Sequence, residues 1–94
     1  MPSTLAAQPT LSDHAAAQFA RGLSTNATEA ICAIAEATHN RERVEIRDLE
    51  PCAPALSTNE LIGAVASLRL AGLVERTADG MRLSANGRQI AHVL

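Results

Sequence analysis

Four arginines and one asparagine carry most of the chemistry this chain can offer. Arg69, Arg76, Arg82 and Arg88 fall in its last third. Each is a planar fork of N–H donors suited to phosphate or carboxylate oxygens. Asn59 precedes them, and an asparagine amide can form two hydrogen bonds with an adenine edge. The other reactive side chains are dispersed. His14, His39 and His92 are scattered, and no two have ligand spacing. Cys32 and His39 could share one helix as metal ligands, but a core thiol and a helix-end imidazole explain them more simply. Glu42 with Glu45, and Asp48 with Glu50, read as solvated charges. No Ser-His-Asp order, phosphate loop or paired-carboxylate motif is present. The chain is therefore expected not to be an enzyme and to need no cofactor or metal.

The charge distribution points the same way. The net charge of −2 is unevenly spread over 94 residues, and all eight basic residues are arginine. Residues 26–60 are acidic, with seven carboxylates against three arginines. Residues 61–94 are basic, with four arginines against Glu75 and Asp79. Any polyanion should meet the C-terminal third. Phe19 is the only aromatic residue, so base stacking on a single strand is not expected. The length suits one small domain burying about 60–65% of its unfolded surface, around a core of Leu, Ile, Val and Ala. No stretch approaches the ~20 apolar residues of a membrane span. The start lacks a basic region followed by an apolar run, so the expected location is cytoplasmic.

Several elements must position these groups. Residues 1–11 are polar, carry two prolines and lack periodicity, and read as a flexible tail. Residues 12–94 form the expected domain, beginning with an extension helix at about 12–23. Ser12 can cap that helix and Gly22 can end it, with Ala15, Ala16, Phe19 and Leu23 on one stripe. It could pack on its own domain or on a second copy. Asn26 with Glu29 gives a capping-box-like start to a helix through His39, with Ala27, Ala30, Ile31, Ile34, Ala35 and Thr38 on one face. Cys32 falls within this apolar pattern and is expected to be buried. Val44-Glu45-Ile46 suits a short edge strand. Arg47 to Glu50 can begin a short helix anchored by Leu49 and limited by Pro51 and Pro54.

The run STNELIGAVASLRLAGLVER then reads as a capped helix entering a strand. Ser57 and Glu60 match a capping box, Leu61, Val65 and Leu68 face inward, and Gly72 ends the helix. Residues 73–77 and 81–84 read as the arms of a hairpin about Ala78-Asp79-Gly80, with Arg76 and Arg82 on its two arms. Ser84 can cap a last helix that holds Arg88, although Gly87 is a poor helix former there. The fold class is mainly α with a small β-wing: a three-helix core, a short antiparallel hairpin and an extra N-terminal helix.

This order, with the run Leu61, Val65, Leu68, Gly72, Leu73, Val74, Arg76 and the segment from Asp79 through Arg88, resembles bacterial winged helix-turn-helix regulators, nearest to the MarR and ArsR types. The likeness covers roughly residues 27–94. It implies duplex DNA binding as a homodimer, with helix 57–71 in the major groove and wing 73–84 on the backbone. By position it implicates Thr58, Asn59, Ile62, Gly63, Ala66 and Arg69 on the helix, and Arg76, Asp79, Gly80 and Arg82 on the wing. The wing is very short, the long terminal helices that dimerise MarR-type proteins are missing, and no ArsR-type metal-ligand cluster is present. A dimer would have to use the residue 12–23 helix, the last helix, or both.

The outward helix face, with Asn59, Ile62, Gly63, Ala66 and Leu70 and with Arg69 at its shoulder, admits two occupants. On DNA, Asn59 and Arg69 would read bases, while Arg76 and Arg82 would hold phosphates. Alternatively, Ile62, Ala66 and Leu70 form an apolar stripe of the kind a helix offers to a protein partner.

Overall fold

The computed structural model describes residues 12–94. The expected tail at 1–11 lies outside them. Among the described residues the chain is mainly helical, with one small antiparallel sheet. The helices are α1 (Asp13–Arg21), α2 (Thr25–Ala37), α3 (Ile46–Leu49), α4 (Thr58–Leu70) and α5 (Ala85–Val93), and a 3₁₀ turn over Glu50–Cys52 extends α3. Strands β1 (Val74–Thr77) and β2 (Gly80–Leu83) form the hairpin. No helix among the described residues is long and apolar enough to cross a membrane.

Four serines begin the longer helices. The hydroxyls of Ser12, Ser24, Ser57 and Ser84 accept from the backbone N–H groups of Ala15, Ala27, Glu60 and Gly87, which the first turn leaves without helical partners. Ser24 corrects the expected start of α2. Asn26 lies inside that helix and lines a groove with Glu60 of α4 instead. At the other end of α4, Gly72 adopts φ +79°. There the N–H of Leu73 donates to Leu68 at 2.9 Å and that of Gly72 to Arg69 at 3.0 Å. This is a Schellman termination, which releases the chain into β1. Gly22 ends α1 without a left-handed backbone, at φ −84°.

The core contains Ala30, Ile31, Ile34, Leu49, Leu61, Leu68, Leu73 and Ile90, all buried, with Val44, Val74, Met81 and Leu83 closing it from the hairpin side. The α2 stripe holds at Ala27, Ala30, Ile31 and Ile34, and Ala33 widens it. Cys32 is exposed, contrary to expectation. At about 100° per residue it lies nearly opposite the stripe, on the outer face of α2 that also carries Glu29 and Glu36. The expected edge strand shrinks to Val44, which exchanges backbone hydrogen bonds of 2.9 and 2.8 Å with Met81, while Ile46 joins α3. Asp48 accepts from the N–H of Glu45 at 2.9 Å, starting α3 before a strand can extend.

Two glycines permit close approach. A Cβ on Gly80 would lie 2.7 Å from the carbonyl oxygen of Val44. One on Gly87 would collide with the carbonyl oxygen of Leu73. The apparent weak point of α5 is therefore where it seats on the chain leaving α4. Ser84 reinforces that seat: its hydroxyl donates to Gly72 O at 2.6 Å, and its N–H donates to Leu73 O at 2.9 Å. At its far side α5 packs against α1, where Ala16 is fully buried.

Candidate functional site

Helix α4 divides into two faces. Leu61, Ala64, Val65 and Leu68 are buried, fixing the inner face against α2, α3 and β1. Rotation of about 100° per residue then places Asn59, Gly63, Ala66 and Leu70 on the opposite side, with Ile62 and Arg69 on one shoulder. All six are exposed. Leu70 is 91% accessible and Ile62 48%. The face runs the length of the helix, about 18 Å at 1.5 Å per residue. Gly63 leaves it open: a Cβ there would meet no atom within 4 Å. A groove of about 390 Å³ runs beside Gly63, between α4 and the start of α2.

The N-terminal end of this face is acidic. The Ser57–Glu60 capping box forms, with the carboxylate of Glu60 accepting from the N–H of Ser57 at 2.9 Å. That bond is the main reason the Glu60 carboxyl titrates below its ordinary range. The Thr58 hydroxyl donates to the Glu50 carboxylate. Thr58 is thus exposed but already engaged, and a phosphate arriving there would meet Glu50.

The arginines separate into two groups. Among the described residues, Arg69 and Arg76 have no ion-pair or hydrogen-bond partner for their guanidinium groups. Arg82 is held on the opposite strand: its Nε donates to Glu75 at 2.9 Å, and its Nη1 lies 4.0 Å from Glu42. The register pairs Glu75 with Arg82 and Arg76 with Met81. Successive strand residues face opposite ways. Arg76 therefore shares the ribbon face of buried Val74 and Met81, whereas Arg82 lies on the other. The two expected phosphate anchors do not act on one surface.

The structure supplies a different neighbour for Arg76. Arg47 at the start of α3 lines the same groove, of about 470 Å³, together with Thr77, Asp79 and Gly80 of the hairpin tip. Arg47 also contacts Glu45 at 3.4 Å. Nothing local in the sequence links residues 47 and 76; the Val44–Met81 bridge brings them together. At the turn, the Thr77 hydroxyl accepts from Asp79 N–H at 3.3 Å and donates to Gly80 O at 3.2 Å. Ala78 and Asp79 need no positive φ; Gly80 takes it, at +136°.

Among the described residues, no group of three or more His, Cys, Asp or Glu side chains is arranged to hold a metal ion. Comparison with protein-family models, with curated proteins and with solved structures finds no match for this chain.

Proposed function

We propose that the chain is a winged helix-turn-helix module that docks on duplex DNA through the outer face of α4, working as a homodimeric transcriptional regulator. The observation that carries this reading is the unobstructed face from Asn59 to Ala66, flanked by Arg69 with its donors free. Asn59, near the helix start, is placed as recognition helices place their base-reading side chains. Gly63 and Ala66 allow close approach, and Ile62 can touch a thymine methyl. Arg76 supplies the hairpin's free cation, while Arg82 is largely spent on Glu75 and Glu42.

The charge count sets the strength. Two free arginines per chain imply a salt slope of about −1.8 for a monomer, from 0.9 per neutralised phosphate. That is too little for tight binding by one chain, so this reading needs two copies on one site. The test is fluorescence anisotropy against a pool of genomic duplexes at several salt concentrations. A slope near −3.6 for a dimer supports the reading; binding that is absent at low salt sinks it.

A second occupant is favoured by Leu70. A leucine 91% exposed at the end of a helix, in line with Ala66 one turn earlier, is a contact ready for an apolar partner surface. In this reading the module is an adaptor or inhibitor, and the acidic neighbours Glu50 and Glu60 select a basic partner.

A further inference from the structure

Away from α4, three of the eight arginines line one groove. It lies between the C-terminal part of α2, strand β2 and α5, has a volume of about 390 Å³, and contains no residue of α4. Arg41, Arg82 and Arg88 line it together with the apolar Leu83 and Ala91, and Glu42 is its single carboxylate.

Arg41 and Arg88 are each oriented by one contact that leaves other donors unused, whereas Arg82 is engaged by two carboxylates. Arg41 Nη1 meets Asp48 at 2.8 Å, and Arg82 Nε meets Glu75 at 2.9 Å. Neither Asp48 nor Glu75 lines the groove, but Glu42 does, 4.0 Å from Arg82 Nη1, so Arg82 is the least available of the three. Arg88 differs from both. Its Nη1 donates to the carbonyl oxygen of Leu83 at 3.1 Å, and among the described residues it has no carboxylate partner. A guanidinium has five N–H donors, so these bonds fix the forks without exhausting them. Apolar lining from Ala35, Leu83 and Ala91 beside these arginines suits a ligand with a small hydrocarbon body and an oxyanion head.

We propose that this groove is a binding site for a small oxyanion, a phosphate- or carboxylate-bearing metabolite, with Arg88 as its principal contact. The site does not rest on the DNA reading, because it shares no residue with the outer face of α4. It does touch both β2 and α5, which seats on the chain leaving α4, so an occupant would bear on the hairpin and the helix end together.

The test uses inorganic pyrophosphate as the phosphate probe and succinate as the dicarboxylate probe, each against sodium chloride at equal ionic strength. Titration calorimetry and amide chemical shifts are followed on the whole chain. The expected result is saturable binding in the millimolar range by at least one probe, with shifts centred on Thr38, Arg88 and Ala91. The tighter probe identifies the head group. Arg88→Gln should weaken binding about tenfold, as expected for losing a charge-assisted bond, and Arg21→Gln, on α1, should leave it unchanged. Equal effects from sodium chloride, shifts centred elsewhere in the wild-type chain, or an unaltered affinity in a folded Arg88→Gln would overturn the proposal. Wild-type shift mapping decides the matter even if Arg88→Gln fails to fold.

Discussion

Arg76 and Arg82 stand on opposite faces of one hairpin, Arg76 across from Met81 and Arg82 across from Glu75. The two substitutions should therefore behave differently. Arg76→Ala removes a free cation and should reduce the salt slope of DNA binding by about 0.9 per chain, without changing sequence preference. Arg82→Ala should leave that slope nearly unchanged. Its effect should fall on stability, about 0.5 kcal/mol for a half-exposed cross-strand pair. Anisotropy titrations between 50 and 200 mM salt, set beside urea unfolding of both variants, would show the split. Equal loss of slope would mean that Arg82 leaves its acids on binding.

Gly63 and Gly87 both sit in helices, yet alanine should have opposite effects at the two sites. At Gly63 the new methyl meets nothing, so the gain in helix propensity, about 1 kcal/mol, should appear as added stability. At Gly87 the same gain opposes a collision with the Leu73 carbonyl. Backbone there cannot rotate away as a side chain can, and a net loss of about 2 kcal/mol is expected. Chemical unfolding measures both. Gly63→Ala also tests the outer face, since a ligand that approaches the α4 backbone closely should bind it more weakly despite its greater stability.

The pH dependence follows from two helix starts. Hydrogen bonds from the N–H groups of Glu45 and Ser57 hold the carboxyls of Asp48 and Glu60 below their ordinary range, with Arg41 adding to the effect at Asp48. A carboxyl whose folded value is depressed releases its proton more readily in the folded state. Its contribution is complete above the unfolded value, about 4, and disappears as pH falls through the lower folded one. Urea midpoints should hold steady from pH 7 to 5 and fall below about 4. Asp48→Asn combined with Glu60→Gln should flatten that fall, because the amides still accept the backbone bonds but no longer titrate. An acid limb as steep as the wild-type one would assign it to other groups.

These starts were legible because they depend on neighbours in sequence. Ser57-x-x-Glu60, Gly72 after the last turn and a tight turn at Ala78-Asp79 followed by Gly80 each specify a local backbone state, although Gly80 belongs to the second strand rather than to the turn. Ser24 was missed in favour of Asn26 because both residue types cap helices and lie two positions apart. The exposure of Cys32 was legible too: the rotation that turns Ala30, Ile31 and Ile34 inward carries residue 32 to the opposite face, and its apolar neighbours in sequence are no guide to burial. The pairing of Arg82 with Glu75 could have been found: a two-residue turn between Thr77 and Gly80 sets the register. The proximity of Arg47 to Arg76, and the bond from Thr58 to Glu50, had no local signal. Both arise when separate elements pack, and they change what the candidate site can do.

The last pair of substitutions separates the two occupants of α4. Asn59 and Leu70 mark opposite ends of the same exposed face, eleven residues apart, or about 16 Å along the helix. Neither supports the core, so Asn59→Ala and Leu70→Gln should each change stability by no more than about 0.5 kcal/mol. On DNA the N-terminal end of a recognition helix reads the bases. Asn59→Ala should then lower discrimination between sites about tenfold, and Leu70→Gln should have less than a twofold effect. On a protein the order reverses, because truncating an exposed polar amide removes little, while a leucine seated in an apolar pocket carries a large share of the affinity. Competition between specific and random duplexes reads the first arm. For the second, the binding constant of any isolated protein partner should weaken at least tenfold with Leu70→Gln. Indifference to both substitutions in both assays would move the site off α4 altogether.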